Sequence, residues 1–197
     1  MSINFDEIID RRGTSCLKYD FAVERGYPKD VLPFWVADMD FRAPVPVIDA
    51  LTARAAHGIF GYTQVKDDYF NVLRDWFRTR HAWTVQRDEL VITPGVVFAI
   101  ATAIRAYTAP NEAVIIQQPV YYPFASMIRQ NGRTLIDSPL QFADGRYSID
   151  FADFEQKIID HKVKLFVLCS PHNPVGRVWT RAELEQLAAI CLRHHII

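Results

Sequence analysis

The chain is poor in cysteine, with only Cys16, Cys169 and Cys191 among its 197 residues. The number is odd, and neither C-x-x-C nor H-E-x-x-H occurs, so the sequence predicts no bound metal. Cys169 and Cys191 sit in apolar stretches, where a free thiol behaves as a small hydrophobe. An excess of one charge is missing as well: 22 basic and 23 acidic side chains leave a formal −1. That balance speaks against a nucleic-acid groove or an anionic membrane surface as partner. Long hydrophobic runs are also lacking, and the most apolar one, Gly95 to Ile104, is far too short for a bilayer. The opening MSINFDEIIDRRG carries acids early and has no sustained apolar core, so it is not a signal peptide. Neither an internal repeat nor a low-complexity tract occurs. These features together read as a reduced, cytoplasmic protein. Half the residues are hydrophobic and 23% are charged, which suits one globular domain or part of a larger one.

What is present is an alternation. Residues 1–44, punctuated by Pro28, Pro33 and Pro44, read as an extended arm. Val47, Leu51 and Ala55 recur at helical spacing over 45–57, with Gly58 as C-cap. A second helix is predicted over about 67–81 with Tyr69, Leu73 and Trp76 on one face. Then come a strand at 89–93 (ELVIT), a helix at 95–107, a strand at 113–117 (AVIIQ) and a helix at about 122–131. A strand at 133–137 (RTLID) and a helix capped by Asp150 follow, then a strand at 164–170 (KLFVLCS). Thr180-Arg181-Ala182-Glu183 is a capping box opening a last helix, and HHII (194–197) looks like the first step into another strand. Strands apolar on both faces, alternating with helices, predict an α/β fold with a mainly parallel, helix-covered sheet.

Ligands in such sheets sit beyond the carboxyl ends of the strands, where three segments carry chemistry. In Thr93-Pro94-Gly95-Val96-Val97, a tight turn opens a helix whose first N–H groups and positive dipole end suit a phosphate. In Gln118-Pro119-Val120-Tyr121-Tyr122-Pro123-Phe124, an aromatic ring held between prolines suits stacking on a flat heterocycle. In Ser170-Pro171-His172-Asn173-Pro174-Val175-Gly176, the flanking prolines restrict the backbone and aim the Asn173 amide, whose NH₂ donates to an oxygen. Singly, each also reads as plain structure: a βα turn, a core ring, an Asx-turn. Together they suit one ligand, a phosphorylated, planar, hydroxylated heterocycle.

TPGVVFAI, QPVYYPF and SPHNPVGRVW stand in the order and spacing of fold-type-I enzymes dependent on pyridoxal 5′-phosphate (PLP). LPFWVADMDFRAPVPVIDAL (32–51), HGIFGYT (57–63) and NPVGRVWTRAELE resemble the cystathionine β-lyase (MalY/PatB) branch of the class I/II aminotransferase family. The resemblance covers essentially the whole chain, and WVADMDF and NPVGRVW are specific to that branch. It implies a PLP-dependent transferase-like three-layer sandwich. Residues 1–44 would be the arm of the small domain, and 45–197 the first half of the large PLP-binding domain. It implies that Gly95 and the amides of Val96 and Val97 hold the PLP phosphate, Tyr121 stacks on the pyridine ring, and Asn173 bonds its phenolic oxygen. Tyr62 would reach the phosphate of a neighbouring subunit, making a homodimer. Trp35, Ala37 and Asp38 would line the substrate entrance. The implied reaction is carbon–sulfur β-elimination on a sulfur-containing amino acid, releasing thiol, pyruvate and ammonia.

Other residues read structurally. Asp38 and Asp40 point the same way from an extended segment and suit solvent or cap contacts more than acid catalysis. His172 packs, while His161, His194 and His195 follow helices and suit their negative dipole ends. In the family, the Schiff-base lysine, an aspartate for the pyridine nitrogen, a tyrosine and a substrate-binding arginine all lie further on. The lysines here, Lys18, Lys29, Lys66, Lys157, Lys162 and Lys164, match none of those contexts, so no catalytic residue is expected in this stretch. The expectation is the N-terminal half of a lyase, inactive alone. A class I/II aminotransferase, or a non-catalytic PLP-fold module or inactive fragment, is the alternative.

Overall fold

The computed structural model describes residues 4–197, in two compact units, Met1–Lys66 and Asp67–Ile197. The first unit is mostly irregular. A 3₁₀ turn spans Val23–Arg25, and helix α1 spans Val45–His57 with Gly58 closing it at φ 73°. The helix expected at 45–57 forms, but none of its residues is buried. Val47 and Leu51 remain 47% and 67% exposed, which leaves an apolar stripe uncovered.

The second unit begins with α2, Asp67–His81. Its buried face differs from the expected one: Phe70 is buried, whereas Tyr69 and Trp76 are about half exposed. Phe70 lies beneath the Arg87 guanidinium, 3.3 Å from the ring centroid, and Phe77 meets Trp83 at 5.2 Å. Phe70 and Phe77 thus turn inward in place of Tyr69 and Trp76, while Leu73 is half-buried and stays on the inward face as expected. The strand expected at 89–93 is also not found. A 3₁₀ turn occupies Arg87–Glu89, and the residues after it pair with no strand among the described residues. Leu90 has extended backbone angles, but a strand is defined by its ladder partner.

Beyond this point the alternation holds. Helix α3 spans Val96–Tyr107, strand β1 Ala113–Ile116, helix α4 Pro123–Gln130 and strand β2 Thr134–Asp137. A hairpin follows, β3 Gln141–Ala143 and β4 Arg146–Ser148. Its turn is Asp144-Gly145, both at positive φ (51° and 72°), as a two-residue hairpin loop requires. Helix α5 spans Phe151–His161 and is capped by Asp150, which accepts from the Asp153 N–H. Strand β5 is short, Leu165–Phe166; Lys164 and Val167 of the expected 164–170 strand still donate to the Ala113 and Ile115 carbonyls of β1, and the chain leaves the ladder after Val167. Helix α6 spans Arg181–Arg193 behind the predicted Thr180–Glu183 capping box.

Strands β2, β1 and β5 form a parallel sheet in that order. Val114 lies beside Leu135 and Leu165. The far edge of β5 is met by Ile197, whose N–H donates to the Lys164 carbonyl and whose carbonyl accepts from Phe166. The HHII stretch thus makes the strand contact expected of it.

Every residue of β1 is buried, and alternation sends its side chains into two cores. Ala113 and Ile115 join Phe154 and Ile158 of α5 and Leu187 and Ile190 of α6. Val114 and Ile116 join Ile104 of α3 and Phe124, Ala125 and Ile128 of α4. The result is three layers, α3/α4, sheet and α5/α6. Phe154, fully buried and edge-on to Phe166 at 4.8 Å, anchors the α5 side. Phe154→Ala is expected to cost about 3–5 kcal/mol in urea unfolding. Ile159→Ala on the same helix, at a half-exposed position, is expected to stay within about 0.5 kcal/mol.

Candidate functional site

The carboxyl ends of β1 and β5 point the same way because the strands are parallel. From them run the Gln118–Tyr122 segment and the Ser170–Gly176 segment. The third segment reaches the same edge by way of helix direction. Helix α4 starts directly after the β1 end, and its C-terminal Asn131 accepts from Arg105 near the C-terminus of α3 at 3.2 Å. The two helices therefore run parallel, and the α3 N-terminus at Gly95 lies at the carboxyl edge of the sheet. Gly95, Val96, Val97, Tyr121 and Asn173 all belong to this edge.

Each group is available there. The first bond of α3 runs from Ala99 N–H to the Gly95 carbonyl at 3.1 Å. The N–H groups of Val96 and Val97 precede that ladder, and no side chain caps them. Thr93 instead donates its hydroxyl to the Gly95 carbonyl. Nothing lies within 4 Å of where a Cβ on Gly95 would stand, so an anion has room against these amides. The Tyr121 ring is 37% exposed and is held edge-on by Phe124 at 6.0 Å and tilted against Tyr122 at 5.5 Å. Asn173 is exposed. Its backbone N–H donates to the Cys169 thiol at 3.4 Å, which leaves the side-chain amide pointed at no protein partner among the described residues. The set offers an anion seat, a flat ring and an amide donor.

Asn173 is held from behind by residues that the sequence did not advertise as part of a site. The His172 N–H donates to the Arg177 carbonyl at 2.6 Å, and Gly176 N–H donates back to the His172 carbonyl at 2.7 Å. His172 is 1% exposed and its Nε2 lies 3.0 Å from the Pro119 carbonyl. Burial pushes its pKa below the usual histidine value, and the carbonyls of Pro119, Cys169 and Gln117 offset this only in part. Its ring therefore packs in the neutral form, as expected of a residue not available for catalysis. Trp179 meets it edge-on at 5.4 Å and donates Nε1–H to the Cys169 carbonyl at 2.9 Å. Arg177 lies over Trp179 at 4.5 Å and forks onto both carboxylate oxygens of Glu183 at 3.0 and 2.9 Å. Burial raises the Glu183 pKa, but the bonds from Arg177 and Thr180 outweigh it and leave the carboxylate below its ordinary value. The R-V-W triplet after Gly176 and the N3 glutamate of the capping box were the available signals.

Trp35, Ala37, Asp38 and Tyr62 belong to the first unit. Asp38 and Asp40 do point the same way, and both meet Arg11, whose Nη1 donates to Asp40 at 2.6 Å and Nη2 to Asp38. Lys18, only 6% exposed, donates to the Asp38 backbone carbonyl at 2.9 Å and pairs with its carboxylate at 3.1 Å. Tyr19 donates to Asp40 at 3.2 Å. The Arg11 hydrogen bonds hold both carboxyls below the usual aspartate range, so these are fixed anions with no proton to give near neutral pH. Trp35 carries the Arg25 guanidinium 4.9 Å from its ring. Val36, next to it, has φ 60°. Ala37 and the Tyr62 side chain are exposed. No His/Cys/Asp/Glu cluster suited to a metal occurs among the described residues, and no helix among them is long and apolar enough to cross a membrane.

Comparison with known proteins adds four findings. The family model for aminotransferase class I and II matches residues 29–197. Cystathionine beta-lyase PatB of Bacillus subtilis is 45% identical over 98% of this chain and 50% of its own length. Protein MalY of Escherichia coli is 35% identical over the same shares. The crystal structure of cystalysin from Treponema denticola, which contains a pyridoxal 5′-phosphate cofactor, superposes with a TM-score of 0.90 at 37% identity. It covers all of this chain and half of that one. The chain therefore spans about half the length of the relatives it matches.

The Arg11 cluster yields a pH prediction. A carboxyl whose folded pKa is depressed contributes stability above its unfolded pKa and loses it as pH falls through the folded value. Arg11→Gln is expected to destabilise the first unit at pH 7, and the difference from wild type should narrow below about pH 4, the unfolded aspartate value. The ¹⁹F resonance of fluorotryptophan at Trp35, followed through urea unfolding at several pH values, measures this. A difference that stays constant down to pH 2 would refute it.

Proposed function

The chain belongs to the aminotransferase class I and II family, and from that premise we propose that it forms the cofactor-gripping part of a PLP-dependent carbon–sulfur β-lyase. The observation that carries the proposal is the meeting of a free helix N-terminus, an exposed tyrosine ring and an unpartnered amide at one sheet edge. A phosphate, a pyridine ring and a phenolic oxygen are the three features of PLP that these groups match. The relatives named as cystathionine beta-lyase and cystalysin support the same class.

In this reading the amides of Val96 and Val97, opened by Gly95, bind the phosphate at the positive end of α3. Tyr121 stacks on the ring, and Asn173 donates to its phenolic oxygen. When bound, PLP supplies an electron sink that lets a β-thiolate leave a sulfur-containing amino acid, giving thiol, pyruvate and ammonia. Trp35 and Ala37 line the substrate entrance, as does the backbone of Asp38, whose carboxylate is already committed to Arg11 and Lys18. None of the three segments at the sheet edge contains a lysine. We assign the proton-transferring amine to the part of the full-length relatives that this chain does not match. Residues 45–197 are then the first half of the large domain and 1–44 the arm. Transamination is the second reading, favoured by the family to which the matching model belongs.

Tyr62, with its side chain fully exposed, is assigned to the phosphate of a second copy, and the uncovered stripe of α1 suits a two-fold, self-complementary interface. Free thiols at all three cysteines suit the cytoplasm. Two measurements on the full-length protein test these assignments. Tyr121→Ala is expected to weaken PLP retention by about 1 kcal/mol of ring–ring contact, roughly fivefold, with Tyr122→Ala close to wild type; equal losses would move the stacking role elsewhere. Sedimentation at micromolar concentration should give a dimer, and a monomer would remove the role of Tyr62.

A further inference from the structure

We propose that His172 is a positioning residue: its ring sets the spacing between the loop that carries Tyr121 and the turn that carries Asn173. The inference rests on the PLP reading for what those two residues hold, but the brace itself is a matter of this chain's own contacts.

The tautomer of His172 is fixed by its partner. A carbonyl oxygen only accepts, so the 3.0 Å contact with Pro119 requires the hydrogen to be on Nε2. In the neutral ring Nδ1 is then a bare acceptor, and it is buried without a partner among the described residues. The ring is thus oriented by one full hydrogen bond, to Pro119, and by packing, with the Cys169 and Gln117 carbonyls as weaker polar neighbours. Pro119 stands two residues before Tyr121, and His172 is the residue before Asn173. A single hydrogen bond therefore spans the loops that leave β1 and β5, at a point next to both groups.

The other end of the ring is equally fixed. Trp179 blocks it edge-on and is itself tied to the Cys169 carbonyl. Arg177 covers Trp179 and is anchored to Glu183 of α6 and to the Tyr147 carbonyl of β4 at 2.7 Å. The backbone of His172 is closed across the turn by its N–H donating to the Arg177 carbonyl and its carbonyl accepting from the Gly176 N–H. A shift of the imidazole would have to move α6 or the hairpin, so the position of Pro119 is referred to rigid elements through this ring. Helix packing alone leaves the Gln118–Tyr122 segment with Gln118 N–H on the Asp137 carboxylate and the Gln118 carbonyl accepting from Leu140. Both of those bonds lie toward β2, away from Asn173. His172 supplies the tie toward Asn173.

The test uses two variants in the full-length holoenzyme. His172→Gln places an amide N–H near the Nε2 position but removes the aromatic ring. His172→Phe keeps a ring against Trp179 but loses the donor. Both should lower the apo-protein melting temperature. Only His172→Phe should speed PLP release, by about five- to tenfold, the equivalent of one net hydrogen bond, and shift the visible band of the bound cofactor. His172→Gln should stay within about twofold of wild type. If the two variants lose PLP equally, or in proportion to lost stability, His172 is a packing residue and the proposal fails. Hydrogen exchange of the apo-protein provides a reading independent of cofactor. His172→Phe should loosen 117–124 and 168–177 together, and loosening of 168–177 alone overturns the brace. Should wild type take up no PLP at all, the functional reading falls, and the exchange measurement still decides the role of His172.

Discussion

Everything in the second unit depends on the double burial of β1. All four of its residues, Ala113 to Ile116, are buried and pair with β2, and Val114 and Ile115 pair with β5 on the other edge as well, so the strand is paired on both edges and covered on both faces. No other strand among the described residues meets all four conditions. Its alternating side chains divide the apolar material between two cores, so a one-residue slip in register would exchange the partners of α4 with those of α5. The same register delivers Gln118–Tyr122 to the sheet edge at a fixed height relative to β5. The position of a candidate-site loop is here a consequence of which face Ile115 occupies.

Much of this was legible in the residues. The apolar run AVII, the Asp150 cap and the Thr180–Glu183 box each carry a local mechanism that tertiary context did not override, and all three elements formed. The errors have physical causes. ELVIT has strand composition, but β-propensity describes fitness for a half-buried pleated surface, and here Val91 is 83% exposed with no neighbouring strand. On α2, periodicity located a stripe but could not choose between Tyr69 and Phe70; the choice was made by Arg87, far along the chain. The hairpin at 141–148 went unread although Asp144-Gly145 is a strong turn signal, because its flanking segments are short and mostly exposed.

The candidate site was legible as three motifs but not as an assembly. Proline, glycine and asparagine in SPHNPVG announce a constrained turn. What holds that turn is a relay through Arg177, Trp179 and Glu183, residues of ordinary type whose meeting only the fold reveals. Glu183 serves three partners, accepting from Arg177 and from both the backbone and the hydroxyl of Thr180. Helix capping and loop anchoring thus share one carboxylate, and the start of α6 and the shape of the Asn173 turn are set together. In the first unit, Asp38 and Asp40 looked like a possible acid pair in sequence. Arg11 makes them one half of a charge cluster whose protons are gone at neutral pH.

That cluster has a mechanical aspect. Val36 sits at φ 60°, a left-handed conformation that a β-branched side chain resists by roughly 1–3 kcal/mol. It lies two residues before Asp38, which is pinned by Arg11 and Lys18, and one after Trp35, which lies under Arg25. The strained residue is thus held between an ion-paired aspartate on one side and a cation–π contact on the other. The cost of the Val36 conformation is therefore borne by the contacts on either side of it.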